Sequence, residues 1–569
     1  MPFQKNLNKV TPYLLYLLLL CFSLPTLSKS AESGVRKVLD TLLVSRQHPL
    51  LQQGDFSRET KELINLYQIN ANHLIWLGEG RSEKNLNDVL DVLMNAGSDG
   101  LNPLNYDAER LRHFIQDQTS LRQMDYQRLA TYDVAISISV LRFVHDLSIG
   151  RIDPRSINYP AKFGSKPAIN TPVILKKLLD QQRITELPQI AAPTAMQYTA
   201  LKQALAEYRQ LAENPPPPKL IFSKPLHPGE SDPQLPKLRE RLHEMGELTL
   251  NEIDAAGEME ALYDTATTDA VIRLQKKQGL NADGLIGKQT LTLFNQTPAE
   301  KIALIELAME RLRWLPPKPS GPYIVVNIPA FQLWAFNSPD DENALNMKVV
   351  VGKALENQTP VLWEEMQYLE FMPYWNIPSS IMNKEILPKI QAGQNFLSHQ
   401  KIELIDRYVA EEMEDPQDVL GGIKHGRFRG RQQPGGKNPL GKVKFIFPNS
   451  ADVYLHDTPF RSAFTRDRRD LSHGCVRVEE AEKLAKFVLD NQQGWDSNTI
   501  AQAMSATKTQ RVSLKKPIPV VFFYATAYAG QDKKLRFYPD IYGYDQQLQT
   551  ELNKSSNKLK LSGKNMVNG

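Results

Sequence analysis

The stretch LSHGCVRV, residues 471–478, holds Cys475, and the other cysteine of the chain is Cys21, inside an apolar N-terminal run. A cysteine nucleophile acts as a thiolate and needs positive surroundings, a base within reach and some exposure. Arg477 is a fixed cation two residues on, and Gly474 lets the backbone come close to a substrate, as an oxyanion hole built from backbone N–H groups requires. Ser472 and His473 stand beside them as site-shaping candidates. Two histidines compete for the role of base. His473 is hard to aim from two residues away, whereas His456, at the end of DVYLHD, can reach the thiol from another strand. His456 is therefore the predicted base, taking the thiol proton and returning it to a leaving amine. Tyr454, on the same strand face as His456, either lines the cleft or packs in the core.

Blander readings exist for each residue. Cys475 could be an inert buried thiol, His456 a partner of Asp457, and Arg477 a surface ion-pair residue. A zinc site made by His456, His473 and Cys475 lacks the second cysteine or CxxC pair that would complete a tetrahedral set, so neither metal nor cofactor is expected.

These residues need a scaffold. After SHGCVR, the sequence VEEAEKLAKFVLD repeats apolar residues at Ala481, Leu484, Ala485 and Val488, which predicts a helix whose N-terminal dipole would favour negative charge near Cys475. From Pro322 the hydrophobic period is two, in PYIVVNIPAFQLWAF, NMKVVVG, VKFIFPNSADVYLHD and IPVVFFYATAYA, so residues 301–544 read as a mostly-β domain. Residues 376–440 interrupt it with helical patterns and the basic loop GGIKHGRFRGRQQPGGKNPLG, whose Lys424, His425, Arg427, Arg429 and Arg431 are either an attractor of acidic peptides or a solvated surface. Upstream, residues 237–300 form a compact helical module. Residues 214–236 are proline-dense and read as a semi-rigid linker. Residues 31–213 are helical in pattern, as in NLNDVLDVLMNAG, and show no catalytic set; His73, His113 and His145 sit singly there as structural residues. The polar tail at 545–569 is expected to be disordered.

The chain has 569 residues, too many for one core, and 68 Lys and Arg against 64 Asp and Glu, which excludes a strongly basic nucleic-acid binder. Lys5 and Lys9 precede YLLYLLLLCFSL and the small-residue stretch SKSAES, so residues 1–30 read as a cleaved secretory signal or a retained N-terminal anchor. Leu20 before Cys21 argues against lipidation. Export leaves Cys475 without an intramolecular disulfide partner once a signal is removed.

YLHDT followed by SHGCVRV closely resembles the catalytic pattern of the L,D-transpeptidases of bacterial cell walls. AVIRLQKKQGLNADGLIGKQTLTLFN resembles the common peptidoglycan-binding module, and the order of parts, with GSDGLNPLNY and IGRIDP in the helical half, is similar to the long Gram-negative enzymes. The resemblance implies a multidomain α+β protein: a helical scaffold domain, a small three-helix peptidoglycan-binding module, and a mostly-β catalytic domain with an inserted lid. It implies a periplasmic cysteine acyltransferase acting on stem peptides and glycan, with other wall-synthesis proteins as further partners. Cys475 would attack the third, diaminopimelate-type residue of a tetrapeptide stem, release D-alanine and pass the acyl group to another stem. A carboxypeptidase or a lipoprotein-to-wall transferase would use the same residues, and a non-catalytic wall-binding scaffold is the alternative of another class. Arg477 would hold a substrate carboxylate or organise the loop; the residues leave both open.

Overall fold

The computed structural model describes residues 24–78, 80–116, 125–157, 159, 169–254, 257, 261–278, 280–317, 319–393, 395–406, 416–530 and 534–564. Most of the expected signal or anchor lies outside the described residues, and no described helix is long and apolar enough to cross a membrane. The chain divides into two units, one of residues 1–152, 167–193 and 550–569, the other of residues 153–166 and 194–549.

The first unit is built from helices. Glu83–Met94 is capped by the Ser82 side chain, which accepts from the Asn85 N–H, and it buries the expected Leu86, Val89, Leu90 and Leu93. Tyr126–Ile149 is the central helix, capped by Asp125 and buried along most of its length. Asp133 sits inside it with no exposure. Its carboxylate accepts from the N–H groups of Ile75, Trp76 and Leu77 and from the Tyr67 hydroxyl at 2.6 Å, so a buried charge-bearing group is fully hydrogen-bonded. Burial still raises its pKa.

In the second unit, helix Met196–Ala212 packs on helix Pro298–Trp314, although it falls within the stretch read as the first helical domain. The small module has the three expected helices, Leu235–Glu244, Thr265–Gln278 and Lys288–Asn295, and a short turn of helix at Leu250–Asp254. Leu220 and Leu226 join its core, and Leu226 bridges to Ile286. The proline-dense segment expected as a linker is thus partly integral to the module: its prolines forbid helix, but its leucines find an apolar face.

The strands of the second unit are β1 (Tyr323–Asn327), β2 (Gln332–Phe336), β3 (Leu345–Gly352), β4 (Leu362–Phe371), β5 (Trp375–Asn376), β6 (Ile402–Asp406), β7 (Phe428–Gln432), β8 (Val443–Ile446), β9 (Leu455–His456), β10 (Asp470–Ser472), β11 (Val476–Val478), β12 (Gln510–Phe523), β13 (Ala527–Ala529) and β14 (Leu535–Phe537). The main sheet runs β10-β3-β11-β9-β8-β4-β12-β1-β2, and it closes on itself because β2 also pairs with β3. Closure pairs β2 back onto β3 and leaves the short β10 at the margin.

The insertion is a subdomain with its own sheet, β5-β7-β6, and its own core around Ile377, Met382, Ile386, Ile402 and Ile423. The basic segment read as a loop runs from the end of helix Pro416–Lys424 into β7; Arg427, just before β7, and Arg431, within it, pair with Asp406 and Glu403 of β6. Alternating arginines hide a strand from a search for apolar alternation. The expected helix over SSIMNKEILPKI forms with a π turn at Met382–Ile386, just ahead of Pro388, whose missing N–H cannot bond the Lys384 carbonyl. The polar tail, expected to be disordered, is drawn as helix Tyr544–Lys564. Its first turn is anchored by buried Asp545, ion-paired with buried Arg311, and by buried Leu548.

Candidate active site

Sheet register gathers the candidate residues. β11 lies between β3 and β9, with Arg477 opposite Val350 on one side and His456 on the other. β8 puts Lys444 opposite His456. Side chains two apart on a strand share a face, so Tyr454 and His456 stand together, their rings 5.7 Å apart. Cys475 enters β11 on the side of Arg477, and the Val476 N–H donates to the Tyr454 carbonyl at 3.0 Å.

The thiol is half-buried. The thiol can donate to the Asp452 carbonyl at 3.9 Å, and Tyr454 lies close enough to pull the thiol's pKa down. Burial pushes the Cys475 pKa above the ordinary thiol value, against the pull of Tyr454, Lys444 and Arg477. Near neutrality the resting group is therefore a thiol. His456 is 4% exposed, so a charge there would be stripped of water. Burial, then Arg477 and Lys444, lower its pKa to about 3. Its Nδ1 lies 2.5 Å from the Asp457 carbonyl, which can only accept, so Nδ1 carries the proton and Nε2 the lone pair. The site rests with a neutral thiol and a neutral imidazole on neighbouring strands, and a base must act during attack.

Two cations sharpen the field. The Lys444 ammonium lies 4.0 Å from the Tyr454 ring centroid, and burial lowers its pKa. Arg477 also has its pKa lowered by burial, and its Nε is buried with no hydrogen-bond partner among the described residues. A buried unpaired donor is costly to leave, which marks Arg477 as a group with a bond still to make.

The cysteine loop is clasped from within and from behind. Ser472 Oγ accepts from the Gly474 N–H at 3.2 Å and donates to the Cys475 carbonyl at 2.6 Å. The Gly474 amide is thereby engaged in the resting loop, and Gly474 supplies a positive φ of 112°. Thr359, fully buried, donates from Oγ1 to the Gly474 carbonyl at 2.7 Å and accepts from the Gly352 N–H at 2.8 Å. Tyr542 donates to the Gly352 carbonyl at 2.7 Å and accepts from the Thr359 N–H at 3.1 Å. A Cβ on Gly352 would fall 1.9 Å from the Asn357 carbonyl oxygen, so only glycine fits there. Thr359 and Tyr542 escape sequence reasoning because they join segments more than a hundred residues apart, and Lys444 because only strand register sets it opposite His456.

His473 takes no part in the cluster around the thiol: its Nε2 lies 2.5 Å from Glu385 of the insertion. The expected helix forms at Ala481–Leu489, but β11 and a turn separate its N-terminus from Cys475, so its dipole is not aimed at the sulfur. The thiol's positive surroundings come from Lys444 and Arg477 instead.

Residues 61–205 match the family model of a scaffold domain, residues 231–293 that of a "Putative peptidoglycan binding domain", and residues 321–512 that of an L,D-transpeptidase catalytic domain. A "Putative L,D-transpeptidase" from Haemophilus influenzae is 34% identical over 263 residues, 46% of this chain and 52% of that protein, so the match spans about half the length of that relative. A crystal structure of an L,D-transpeptidase from Xylanimonas cellulosilytica aligns with 54% of this chain and 100% of its own at 14% identity and a TM-score of 0.16. A fused Zn-dependent amidase/peptidase with a peptidoglycan-binding domain, from Clostridium acetobutylicum, aligns with 53% of this chain and 99% of its own at 11% identity and a TM-score of 0.14. At such TM-scores neither alignment bears on the fold.

Proposed function

We propose that this chain, which carries an L,D-transpeptidase catalytic domain behind scaffold and peptidoglycan-binding domains, crosslinks peptidoglycan stems through a thioester on Cys475. The observation that carries the reading is a half-buried thiol leading into the strand paired with that of a neutral, buried histidine with one nitrogen tied back.

In this reading the sulfur attacks the carbonyl of the third stem residue while His456 Nε2 takes the thiol proton. The C–S bond forms, the tetrahedral intermediate collapses with cleavage of the C–N bond, and the imidazolium gives its proton to the departing D-alanine amine. An acceptor amine then attacks the thioester, loses a proton to His456 and restores the thiol. The imidazolium exists only during turnover, because burial, and then the cations Arg477 and Lys444, disfavour it at rest. With the Gly474 amide engaged, the oxyanion role passes to the Cys475 N–H and to cationic Lys444. Arg477, with its buried unpaired Nε, suits the free carboxylate of a diaminopimelate-type side chain. The insertion acts as a cover that excludes water from the thioester, and the Glu385–His473 contact is its hold on the cysteine loop. Such a protein works outside the cytoplasm, at the wall.

Mass spectrometry of purified tetrapeptide muropeptides incubated with the protein tests the reading, with Cys475→Ala as control. Dimers joined between third-position residues, D-alanine release and an acyl adduct on Cys475 are expected. Shortened tripeptides without dimers would reassign the site to hydrolysis, and turnover by Cys475→Ala would remove the nucleophile.

A further inference from the structure

A groove of about 640 Å³ lies between the small helical module and the catalytic sheet, away from the thiol cluster. One wall is the C-terminal end of helix Thr265–Gln278 and the turn after it; the other is β2, β3 and the segment 465–469. The walls are tied together. Arg536, in β14, donates from Nε to the Lys277 carbonyl at 2.6 Å, and the Phe537 N–H donates to Gln278 Oε1 at 3.3 Å.

The lining has a charge the chain as a whole does not have. Lys276, Lys277, Lys348, Arg466, Arg469 and Arg536 face Asp467 as the one carboxylate, in a protein whose totals are 68 basic and 64 acidic residues. Lys277 is partly neutralised by Glu247 at 2.6 Å. Arg469 is buried, and its guanidinium donates to the Val349, Arg466 and Phe331 carbonyls, so it rigidifies the wall and adds positive potential. Lys276 and Arg466 are exposed, one on each wall. Trp334, stacked on Tyr528 with ring centroids 4.9 Å apart, contributes a rigid aromatic edge to the floor. Cations on two walls around an aromatic floor suit a ligand that bears several carboxylates on a sugar-containing backbone.

The groove is also coupled to the thiol by the chain itself. Segment 465–469 runs into β10 and on to Cys475. On β3, Lys348 lines the groove and Gly352 pairs with Ser472, four residues further, which is roughly 13 Å along the strand. An extended tetrapeptide spans about the same length.

We propose that this groove binds an acidic stem peptide of the glycan strand being processed, a neighbour of the stem that reacts at Cys475, and so holds the strand in register with the thiol. The inference rests on the wall-crosslinking reading and adds a second recognition site to it. Its source of negative charge is the peptide carboxylates rather than a phosphate polymer, because the aromatic floor has no counterpart in phosphate chemistry.

The test uses the full chain and two charge reversals outside the thiol cluster, Arg466→Glu and Lys276→Glu, with Arg466→Gln and Lys276→Gln as milder versions should either reversal misfold. Dissociation constants are measured for soluble glycan oligomers carrying tetrapeptide stems, and acylation of Cys475 by a carbapenem is followed in the same samples. The expected result is about tenfold weaker oligomer binding for each reversal, a weaker salt dependence, and unchanged carbapenem acylation. Unchanged oligomer affinity overturns the proposal. So does equal loss of affinity for oligomers stripped of their peptides, or equally effective competition by polyphosphate. Failure of the wild-type protein to acylate at Cys475 would count against the crosslinking reading alone, because groove affinity is read independently of it.

Discussion

Each unit of the molecule buries a histidine, and the two are built for opposite ends. In the helical unit, His48 is 1% exposed; its Nδ1 accepts from the Leu50 N–H at 3.3 Å and its Nε2 donates to the Thr131 carbonyl at 3.0 Å. Both nitrogens are consumed by backbone. In the β unit, His456 is 4% exposed and commits only Nδ1, to the Asp457 carbonyl. Burial lowers both pKa values, to about 4 for His48 and about 3 for His456. Burial and a depressed pKa therefore do not make a histidine catalytic. What sets His456 apart is a ring nitrogen left uncommitted on the strand paired with that of Cys475, with two cations near it.

The contrast is broken most sharply by exchanging each ring for an amide. His456→Gln should lower acyl transfer by about 10²–10⁴-fold, the usual worth of a positioned base. His48→Gln should leave the rate per folded molecule unchanged, and steady-state crosslinking assays on both variants check the pair. Stability should order the other way. His48→Leu orphans the buried Leu50 N–H and should cost about 1–3 kcal/mol, read as a fall in denaturant midpoint of the helical unit.

Acid should reveal both rings. An unfolded histidine takes a proton near 6.5, while the folded rings stay neutral down to about 4 and about 3. Between those limits the unfolded chain binds more protons, so stability falls as pH drops through that window and is restored above it. His48→Leu should flatten that slope in unfolding curves taken from pH 4 to 7. For the same reason kcat/KM should show no inflection near 6.5, and a clear one would mean that His456 is solvated and ordinary.

Smaller changes sharpen the description of the catalytic half. Tyr454→Phe removes a hydroxyl that pulls the thiol's pKa down and should slow Cys475 acylation by roughly tenfold, about 1.4 kcal/mol, without moving the melting temperature in step. Glu385→Gln cuts an exposed contact between the insertion and His473, and it should raise KM by at most about threefold with kcat nearly constant. A large fall in kcat there would give Glu385 a part in the chemistry.

Much of this was legible along the chain because it is local. SHGCVR with YLHDT named the thiol and its histidine, the change of hydrophobic period from helical to two marked the β domain, and NLNDVLDVLMNAG announced its own buried stripe. Arg-rich β7 was invisible because its alternation is carried by charged side chains that pair with β6. Helix Tyr544–Lys564 was hidden because its anchor, Asp545, depends on Arg311, more than two hundred residues away.

Residue type and spacing alone singled out the candidate groups: the thiol of Cys475, the imidazole of His456 and the cation of Arg477. Tertiary structure alone decided their state. Only strand register sets Lys444 and Arg477 against His456, only Asp457 chooses its tautomer, and only Thr359 and Tyr542 hold the loop that presents the sulfur. Charge and hydrogen-bond direction depend on distance in space, which the order of residues along the chain does not contain.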